Sequence, residues 1–387
     1  MSDTYISDSI IYIGVDDKNL DLFESQYPVP NGVTYNSYVI LDEKTVVMDT
    51  VDSRATEQWL ANLEQALAGT PVDYLVVSHM EPDHAANIYR FAALHPEAKI
   101  VGNAKTFTMI SQFFDLDLEG RKVEVKEGST LELGKHTLQF FMAPMVHWPE
   151  VMVTYEQSEK ILFSADGFGK FGVMDAEEEW AEEAARYYLN IVGKYGPQVQ
   201  ALLKKAAGLD ISMICPLHGP VLKENLGYYL DLYQTWSTYK PEQHGVLVAY
   251  ASIHGNTAEA ARKMAEILRE QGEAHVEVMD LSRTDVSLAV RKAFYYDRMV
   301  LAAATYDAGV FPCMEEFLLH LKSKNFQKRT VGLMENGSWA PMAGKLMRGM
   351  AEGMKEITVA EPMVSIRSAM HEDTVEQMKK LAASLQA

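Results

Sequence analysis

Four side chains that can bind a metal ion lie within six residues of one another, directly after an apolar segment. Segment 74–77 reads Tyr-Leu-Val-Val, a composition typical of a strand buried on both faces. It runs directly into His79, Glu81, Asp83 and His84. Ionisable groups at the end of a buried strand are costly unless they have a partner, and a metal cation is such a partner. Alternation along an extended segment places positions 79, 81 and 83 on one side, so this cluster can serve two metals.

Three later residues extend this candidate metal site. His147, Asp166 and His218 each lie in a loop that follows a strand-like apolar run. With the first cluster they make a set of four imidazoles and three carboxylates, and a carboxylate such as Asp166 can bridge two ions. We therefore predict a dinuclear metal site. The other histidines lack such a context and are predicted not to be ligands: His95, His136, His244, His275, His320 and His371.

A different kind of site is predicted where the buried strand at 245–250 leads into a helix at 258–270. The loop between them contains Ser252, Asn256 and Thr257, which can donate hydrogen bonds. The glycine at position 255 lets the backbone approach a phosphate closely, and the helix N-terminus adds free N–H groups. The loop has no Lys or Arg and matches neither the dinucleotide fingerprint nor a Walker loop. It suits a phosphate monoester held by hydrogen bonds alone.

Two further strand-and-loop units follow. Segments 299–303 and 330–334 repeat the buried-strand pattern, and helical segments separate them. This alternation predicts a parallel, doubly wound sheet, which binds ligands beyond the carboxyl ends of its strands. The candidate cofactor-binding residues are therefore Ser252, Ile253, His254, Gly255, Asn256, Thr257, Thr305, Tyr306, Asp307, Ala308, Gly309, Asn336, Gly337, Ser338 and Trp339.

The charge is divided unevenly along the 387 residues. The formal net charge is −19, and residues 245–387 contribute little to it, with 17 basic against 18 acidic side chains. This asymmetry supports two domains, predicted at 1–244 and 245–387. The acidic balance argues against binding to nucleic acid, because phosphates would be repelled over most of the surface.

Two cysteines, Cys215 and Cys313, are too few for a disulfide scaffold or a four-cysteine metal knuckle. Neither has a predicted role. No stretch approaches the ~18 consecutive apolar residues of a membrane span, and the first residues lack the pattern of a signal peptide. The sequence thus predicts no membrane association and a cytoplasmic location.

The ligand pattern resembles that of the metallo-β-lactamases, His-x-His-x-Asp-His followed by distant His, Asp and His. Glu81 stands where those hydrolases usually have a second His. A carboxylate is a harder ligand than an imidazole and shifts the preference from zinc towards iron. Residues 250–257 resemble the flavodoxin phosphate loop, whose ligand is FMN. Together these motifs resemble the flavodiiron proteins, which implies an α/β chain: a metallo-β-lactamase-like αββα sandwich, then a flavodoxin-like doubly wound parallel sheet.

This resemblance implies a diiron centre and an FMN. One iron would be held by His79, Glu81, His147 and Asp166, and the other by Asp83, His84, Asp166 and His218. It also implies reduction of O2 to water, of NO to N2O, or of both, and the residues do not rank the two gases. Tyr195 resembles a position where many members place an aromatic residue near the irons, where it could donate a hydrogen bond; a packing role is the alternative.

The resemblance further implies partners. Two cysteines cannot build a rubredoxin centre, so electrons would come from an external donor such as rubredoxin. Family members form head-to-tail homodimers that bring FMN of one chain to the diiron site of the other, and we expect a homodimer here, with a tetramer as the alternative. Two other readings stay open. One is a dinuclear zinc hydrolase carrying a flavodoxin-like module, and the other is an electron carrier whose metal site is structural.

Overall fold

The structure, a computed structural model, describes residues 5–386 and divides into two compact units. Unit 1 comprises Met1–Tyr188 and Tyr195–Gln234, and unit 2 comprises Leu189–Lys194 and Thr235–Ala387. The domain ranges 1–244 and 245–387 stay predictions. None of the helices in residues 5–386 is long and apolar enough to cross a membrane.

Unit 1 is built mainly from short strands. In chain order they are β1 (Ile10–Tyr12), β2 (Val15–Asp17), β3 (Leu22–Phe23), β4 (Tyr27–Pro28), β5 (Val33–Tyr35), β6 (Tyr38–Ile40), β7 (Val46–Met48), β8 (Tyr74–Val76), β9 (Lys99–Gly102), β10 (Lys122–Glu124), β11 (Thr130–Glu132), β12 (Thr137–Met142), β13 (Met152–Glu156), β14 (Ile161–Phe163) and β15 (Met213–Cys215). The helices up to residue 237 are α1 (Thr56–Leu67), α2 (Pro82–Ala85), α3 (Ile88–Leu94), α4 (Ala104–Phe113), α5 (Trp180–Ile191), α6 (Gly196–Ala206) and α7 (Leu226–Ser237).

Two sheets face each other in unit 1. The first has the order β1-β6-β7-β8-β9-β10 and the second β11-β12-β13-β14-β15. Buried residues of both sheets form one cluster: Val46 and Val76 of the first sheet pack with Phe140, Phe163 and others of the second. Helix α1 contacts β6, and α4 contacts β9. The predicted sandwich is confirmed, and Cys215 belongs to its core, where burial raises the pKa of the thiol.

The ends of the central strands deliver the candidate metal ligands. Strand β8 pairs in parallel with β7 and β9, and the chain that leaves it reaches α2, which begins at Pro82. Proline suits the first turn of a helix because the N–H group that it lacks would have no partner within the helix there. Strands β14 and β15 are also parallel, so Asp166 and His218 follow the same edge of the second sheet. His147 lies in the connection between β12 and β13.

One predicted helix begins later than its sequence pattern indicates. The spacing of apolar residues in segment 175–188 predicts a helix with Asp175 as its N-cap, but α5 begins at Trp180. Glu178 instead pairs with the buried amine of Lys170 at 2.8 Å and also accepts a hydrogen bond from Asn31. These long-range contacts hold the acidic segment in a non-helical conformation, so the N-cap assignment was wrong.

Unit 2 contains the strands β16 (Gln243–Ala251), β17 (Val276–Asp280), β18 (Tyr296–Tyr306), β19 (Gly309–Val310), β20 (Arg329–Asn336), β21 (Ile357–Val359) and β22 (Val364–Ile366). Its helices are α8 (Asn256–Glu270), α9 (Val286–Tyr295), α10 (Pro312–Ser323), α11 (Ala343–Glu352) and α12 (Glu372–Gln386). The sheet order β17-β16-β18-β20-β21 is parallel throughout. This is the 2-1-3-4-5 order of flavodoxin-like sheets, as predicted.

Helices cover this sheet. Buried side chains of α8 and α12, such as Met264 and Leu381, form one cluster with β16, β18 and β22. Helices α9, α10 and α11 also contact the sheet strands but contribute nothing to that cluster. Helices on separate faces are what a doubly wound parallel sheet requires.

A buried imidazole–carboxylate pair stabilises unit 1 away from the candidate ligands. The Nδ1 atom of His136 lies 3.0 Å from Oε1 of Glu156, and its Nε2 atom lies 2.8 Å from Oγ of Ser9. The contact with Glu156 raises the pKa of His136, although burial opposes the shift. Burial raises the pKa of Glu156, but His136 and two backbone N–H groups lower it below its usual 4.5.

We expect Glu156→Gln to lower the stability of unit 1 by about 1–3 kcal/mol, because it removes the nearest charged partner of His136 and, among the described residues, leaves only Glu159, 3.8 Å from Nε2, at ion-pair distance. The raised pKa of His136 stabilises the fold fully below 6.5, its usual value, and the lowered pKa of Glu156 stabilises it above 4.5. The loss should therefore be largest between these values and shrink as rising pH deprotonates His136. Thermal unfolding at a series of pH values measures it; a loss constant up to pH ~9.5 would contradict the prediction.

Candidate functional site

The first group of predicted ligands, His79, Glu81, His147 and Asp166, converges in unit 1. One potential ligand atom from each lies within 4.8 Å of all the others. The Nε2 atom of His147 is 3.0 Å from Oε2 of Glu81 and 3.1 Å from Oδ2 of Asp166. The Nε2 atom of His79 is 3.4 Å from the same two carboxylate oxygens. All four side chains thus aim their ligand atoms at one point.

The remaining predicted ligands form a second group beside the first. The Nε2 atoms of His84 and His218 are 3.0 Å apart, and Oδ2 of Asp83 lies 3.3 Å from His218. Asp166 connects the groups, because its Oδ1 atom lies 3.3 Å from Nε2 of His84 while Oδ2 faces the first group. This is the arrangement that a bridging carboxylate requires.

The chemistry of these residues fits bound cations. Two neutral imidazole nitrogens that face each other at 3.0 Å repel unless a proton or metal ion lies between them. Two ligands at ~2.1 Å from a metal and at a right angle to each other would be separated by about that distance. The carboxylate oxygens of Asp83 and Asp166 are buried, and none makes a hydrogen bond within the described residues. Buried anionic oxygens of this kind need a cation.

Electrostatics in the chain without metal agree with this interpretation. Burial lowers the pKa of His147, but the close carboxylates of Asp166 and Glu81 outweigh burial and raise it to about 9. Burial raises the pKa of Asp166, yet the charge of His79 and the close imidazoles of His147 and His84 lower it well below its usual value. Protons thus balance the carboxylates in the absence of metal, and a metal ion would displace them.

Groups behind the ligands orient two of the imidazoles. The Nδ1 atom of His79 lies 2.8 Å from Oε1 of Glu150, and Nδ1 of His218 lies 2.6 Å from the backbone oxygen of Thr34. Because these partners accept a proton from Nδ1, that nitrogen is protonated and the lone pair of Nε2 can bind a metal.

A cavity of about 360 Å³ opens onto the metal-binding groups. Glu81 and Asp83 line it together with Phe23, whose ring centroid is 5.4 Å from that of His218. The volume is ample for a diatomic gas. Tyr187 packs against His218 at a centroid distance of 5.5 Å, and its buried hydroxyl makes no hydrogen bond within the described residues.

Three residues near the site were not found from the sequence: Tyr187, Asp49 and Glu150. Burial and then the charges of Asp166 and Glu81 raise the pKa of Tyr187. Asp49 is buried with its pKa raised to about 6, and its carboxylate accepts the N–H of Ser78 beside the ligand loop. Asp49 directly follows β7, and only this position could have drawn attention to it; Tyr187 lies inside α5, where no strand end marks it. The predicted Tyr195 ends a short 3-10 turn before α6 and is partly buried; its role stays a prediction.

The three predicted cofactor loops meet at one cavity of about 530 Å³ in unit 2. It is lined by Ser252, Ile253, His254, Asn256, Thr257, Thr305, Tyr306, Asp307, Ala308, Asn336, Gly337, Ser338 and Trp339, all predicted, and by Ala304, Ala340, Met342 and Ser368. No Lys or Arg of residues 5–386 is in this lining. Gly255 and Gly309, also predicted, lie beside it in the chain without lining it.

Local hydrogen bonds shape these loops. Gly255 adopts a left-handed φ of 101° as the N-cap of α8, and its N–H donates to Oγ of Ser252. The side chain of Asn336 bonds both backbone groups of Ser368, which draws that residue to the cavity. The indole of Trp339 is 89% exposed and therefore free to cover a ligand. The free N–H groups of α8 point to an anion at its start.

Comparisons with known proteins match both units. The family described as ODP family beta lactamase matches residues 33–219, and the flavodoxin domain family matches residues 247–378. Rubredoxin-oxygen oxidoreductase of Megalodesulfovibrio gigas is 29% identical over 100% of this chain and 98% of its own. Nitric oxide reductase of Moorella thermoacetica is 26% identical over 99% of this chain and 98% of its own.

Solved structures match over the same length. Rubredoxin oxygen:oxidoreductase from Desulfovibrio gigas has a TM-score of 0.92 at 27% identity and covers 99% of this chain and 97% of that one. The flavodiiron protein from Giardia intestinalis has a TM-score of 0.88 at 23% identity, over 98% of this chain and 95% of that one. At 23% identity, the match to the Giardia intestinalis structure shows a shared fold and nothing further.

The shared position of Asp166 predicts how metal content responds to substitution. Asp166→Asn should remove both metals, because the amide is a weak ligand to either group. His218→Gln should remove only the metal of the second group. Metal analysis after dialysis measures the content, with circular dichroism to confirm folding.

His95→Gln supplies the matched control, because His95 belongs to neither ligand group. It should retain both metals. An Asp166→Asn protein that is folded and fully loaded would contradict the shared role of this carboxylate.

Proposed function

The chain belongs to the flavodiiron proteins, and from this premise we propose that it reduces O2 to water, NO to N2O, or both, with electrons that FMN relays from an external donor. The observation that carries the proposal is the convergence of seven side chains into two adjoining groups that share Asp166. Glu81 supports iron over zinc, because it adds a third carboxylate to the set.

The residues of unit 1 have two tasks in this proposal. His79, Glu81, His147 and Asp166 would hold one iron, and Asp83, His84, His218 and Asp166 would hold the other. The cavity beside Glu81 and Asp83 admits the gas, and the ring of Phe23 keeps one wall apolar. Two metal ions held side by side by these residues would supply a template for the reaction of both oxygen atoms or of two NO molecules.

Two irons and one FMN, when bound, can together supply the four electrons of O2 + 4e⁻ + 4H⁺ → 2H2O; the reaction 2NO + 2e⁻ + 2H⁺ → N2O + H2O needs two. The residues of unit 2 bind the flavin. Ser252, Asn256 and Thr257 surround its phosphate at the start of α8, where the helix N-terminus favours an anion. Tyr306 and Trp339, which line the cavity, would offer aromatic faces to the ring system.

The donor and the assembly complete the proposal. Rubredoxin is named in the relative from Megalodesulfovibrio gigas, and a rubredoxin-type protein is the donor we propose here. We also propose the head-to-tail homodimer, since each unit carries one of the two sites and electrons must pass between them. A fully active monomer in sedimentation would exclude it. The cytoplasmic location stays a prediction from the sequence.

Reoxidation of the reduced protein by gas tests the activity. The anaerobically reduced protein, loaded with iron and FMN, should be reoxidised rapidly by O2, by NO or by both in stopped-flow absorbance measurements. The ratio of the two rates identifies the preferred gas. Slow reoxidation by both gases would favour an electron carrier, and two zinc ions without iron in metal analysis would favour the hydrolase.

Asn256→Asp tests the flavin site separately. The substitution conserves size but places a negative charge at the phosphate position, so FMN should bind about 10-fold more weakly or worse. Iron content should not change, because the diiron ligands lie in unit 1. FMN fluorescence titration measures the affinity. Asn19→Asp makes the same chemical change at an exposed residue of unit 1 and should leave FMN binding unaltered; equal affinity in both variants would contradict the phosphate assignment.

A further inference from the structure

Glu150 is a buried carboxylate that contacts the first metal-binding group without belonging to it. Its side chain is inaccessible to solvent, and Oε1 lies 2.8 Å from Nδ1 of His79. The same oxygen accepts the backbone N–H of Met80 at 2.8 Å. An ionised carboxylate can only accept hydrogen bonds, so Nδ1 of His79 must carry its proton and Nε2 must offer its lone pair to the metal.

The position of Glu150 in the chain helps to hold it beside His79. It lies three residues after His147, in the connection between β12 and β13, and its backbone oxygen accepts a hydrogen bond from the side chain of Asn103. One short segment therefore supplies a ligand of the first group and fixes the orientation of another.

The second group has a different support. Nδ1 of His218 faces the backbone oxygen of Thr34, a neutral acceptor, and Nδ1 of His84 makes no hydrogen bond within the described residues. Each group has its own carboxylate, Glu81 or Asp83, and both share Asp166. Asp49 interacts with His84 through its charge, but its carboxylate accepts the backbone N–H of Ser78 and, within residues 5–386, no imidazole proton. A carboxylate bonded directly to the outer nitrogen of a ligand imidazole therefore distinguishes the first group from the second.

We propose that Glu150 is a positioning residue that makes the two irons inequivalent. This inference rests on the proposed diiron function. The carboxylate draws the Nδ1 proton of His79 towards itself and makes Nε2 a more basic ligand. The added negative charge favours the ferric over the ferrous state, so the iron of the first group has the lower reduction potential.

Two substitutions separate charge from orientation. Glu150→Gln keeps the size and an acceptor oxygen but removes the charge, so the protein should retain both irons. A redox titration followed by electron paramagnetic resonance should then show one of the two diiron potentials moved upward. Glu150→Ala also removes the acceptor, and a chelator should extract one iron at a concentration about 10–100-fold lower than from the unaltered protein.

Glu156→Gln is the matched control. Glu156 is a buried carboxylate of unit 1 whose partner is the imidazole of His136, which is in neither ligand group. This variant should keep both potentials and the chelator resistance of the unaltered protein. Unchanged potentials in a Glu150→Gln protein that holds two irons would overturn the inference.

A measurement on the unaltered protein covers the case in which a variant does not fold. With zinc as a diamagnetic probe, nuclear magnetic resonance should show a slowly exchanging N–H on Nδ1 of His79, shifted downfield by the carboxylate. Rapid exchange of that proton would overturn the inference. Failure of the proposed function would be distinct, because the unaltered protein would then contain no iron or react with neither gas.

Discussion

The structure of unit 1 depends on the burial of Asp166 between histidines of both ligand groups. Its carboxylate is fully buried and faces His79 and His147 with one oxygen and His84 with the other. Removing such a charge from water is costly, and opposite charges must compensate for it. Imidazolium protons can do so in the absence of metal, and metal ions can do so in their place. The strand ends that carry these residues must therefore meet, and this requirement sets how the loops after β8, β12, β14 and β15 are arranged.

The flavin cavity of unit 2 is formed at strand ends by a different kind of interaction. Its lining contains no Lys or Arg of residues 5–386, and the start of α8 and the hydroxyl and amide groups around it supply the attraction for a phosphate. Backbone dipoles are fixed by the fold and need no counter-charge when the cavity is empty. This contrast agrees with the charge distribution, since most of the net charge of −19 falls in residues 1–244, where the ligand carboxylates lie.

Residues that follow apolar strands could be predicted because the pattern of the strand locates its carboxyl end. His79, Asp166 and His218 are of this kind, as are the loop residues Ser252 and Tyr306. The start of α5 was missed because Lys170, which lies outside the helical pattern, forms an ion pair with Glu178. This contact competes with helix formation. Glu150 and Tyr187 were missed for a related reason. Glu150 contacts His79 and Tyr187 contacts His218, and the periodicity of a sequence does not show which distant side chains the fold brings together.

The number of carboxylates explains why the site suits metals that change their charge. Glu81, Asp83 and Asp166 with Glu150 provide four negative charges beside the metal positions, and the buried Asp49 interacts with His84 through its charge. Each electron that left a bound pair of irons would add a positive charge in excess of those of two divalent ions. Because a charge interacts more strongly in a low-dielectric interior, the position of the fourth carboxylate decides where that excess is least costly. Glu150 lies behind His79, so the first electron should come from the iron of the first group.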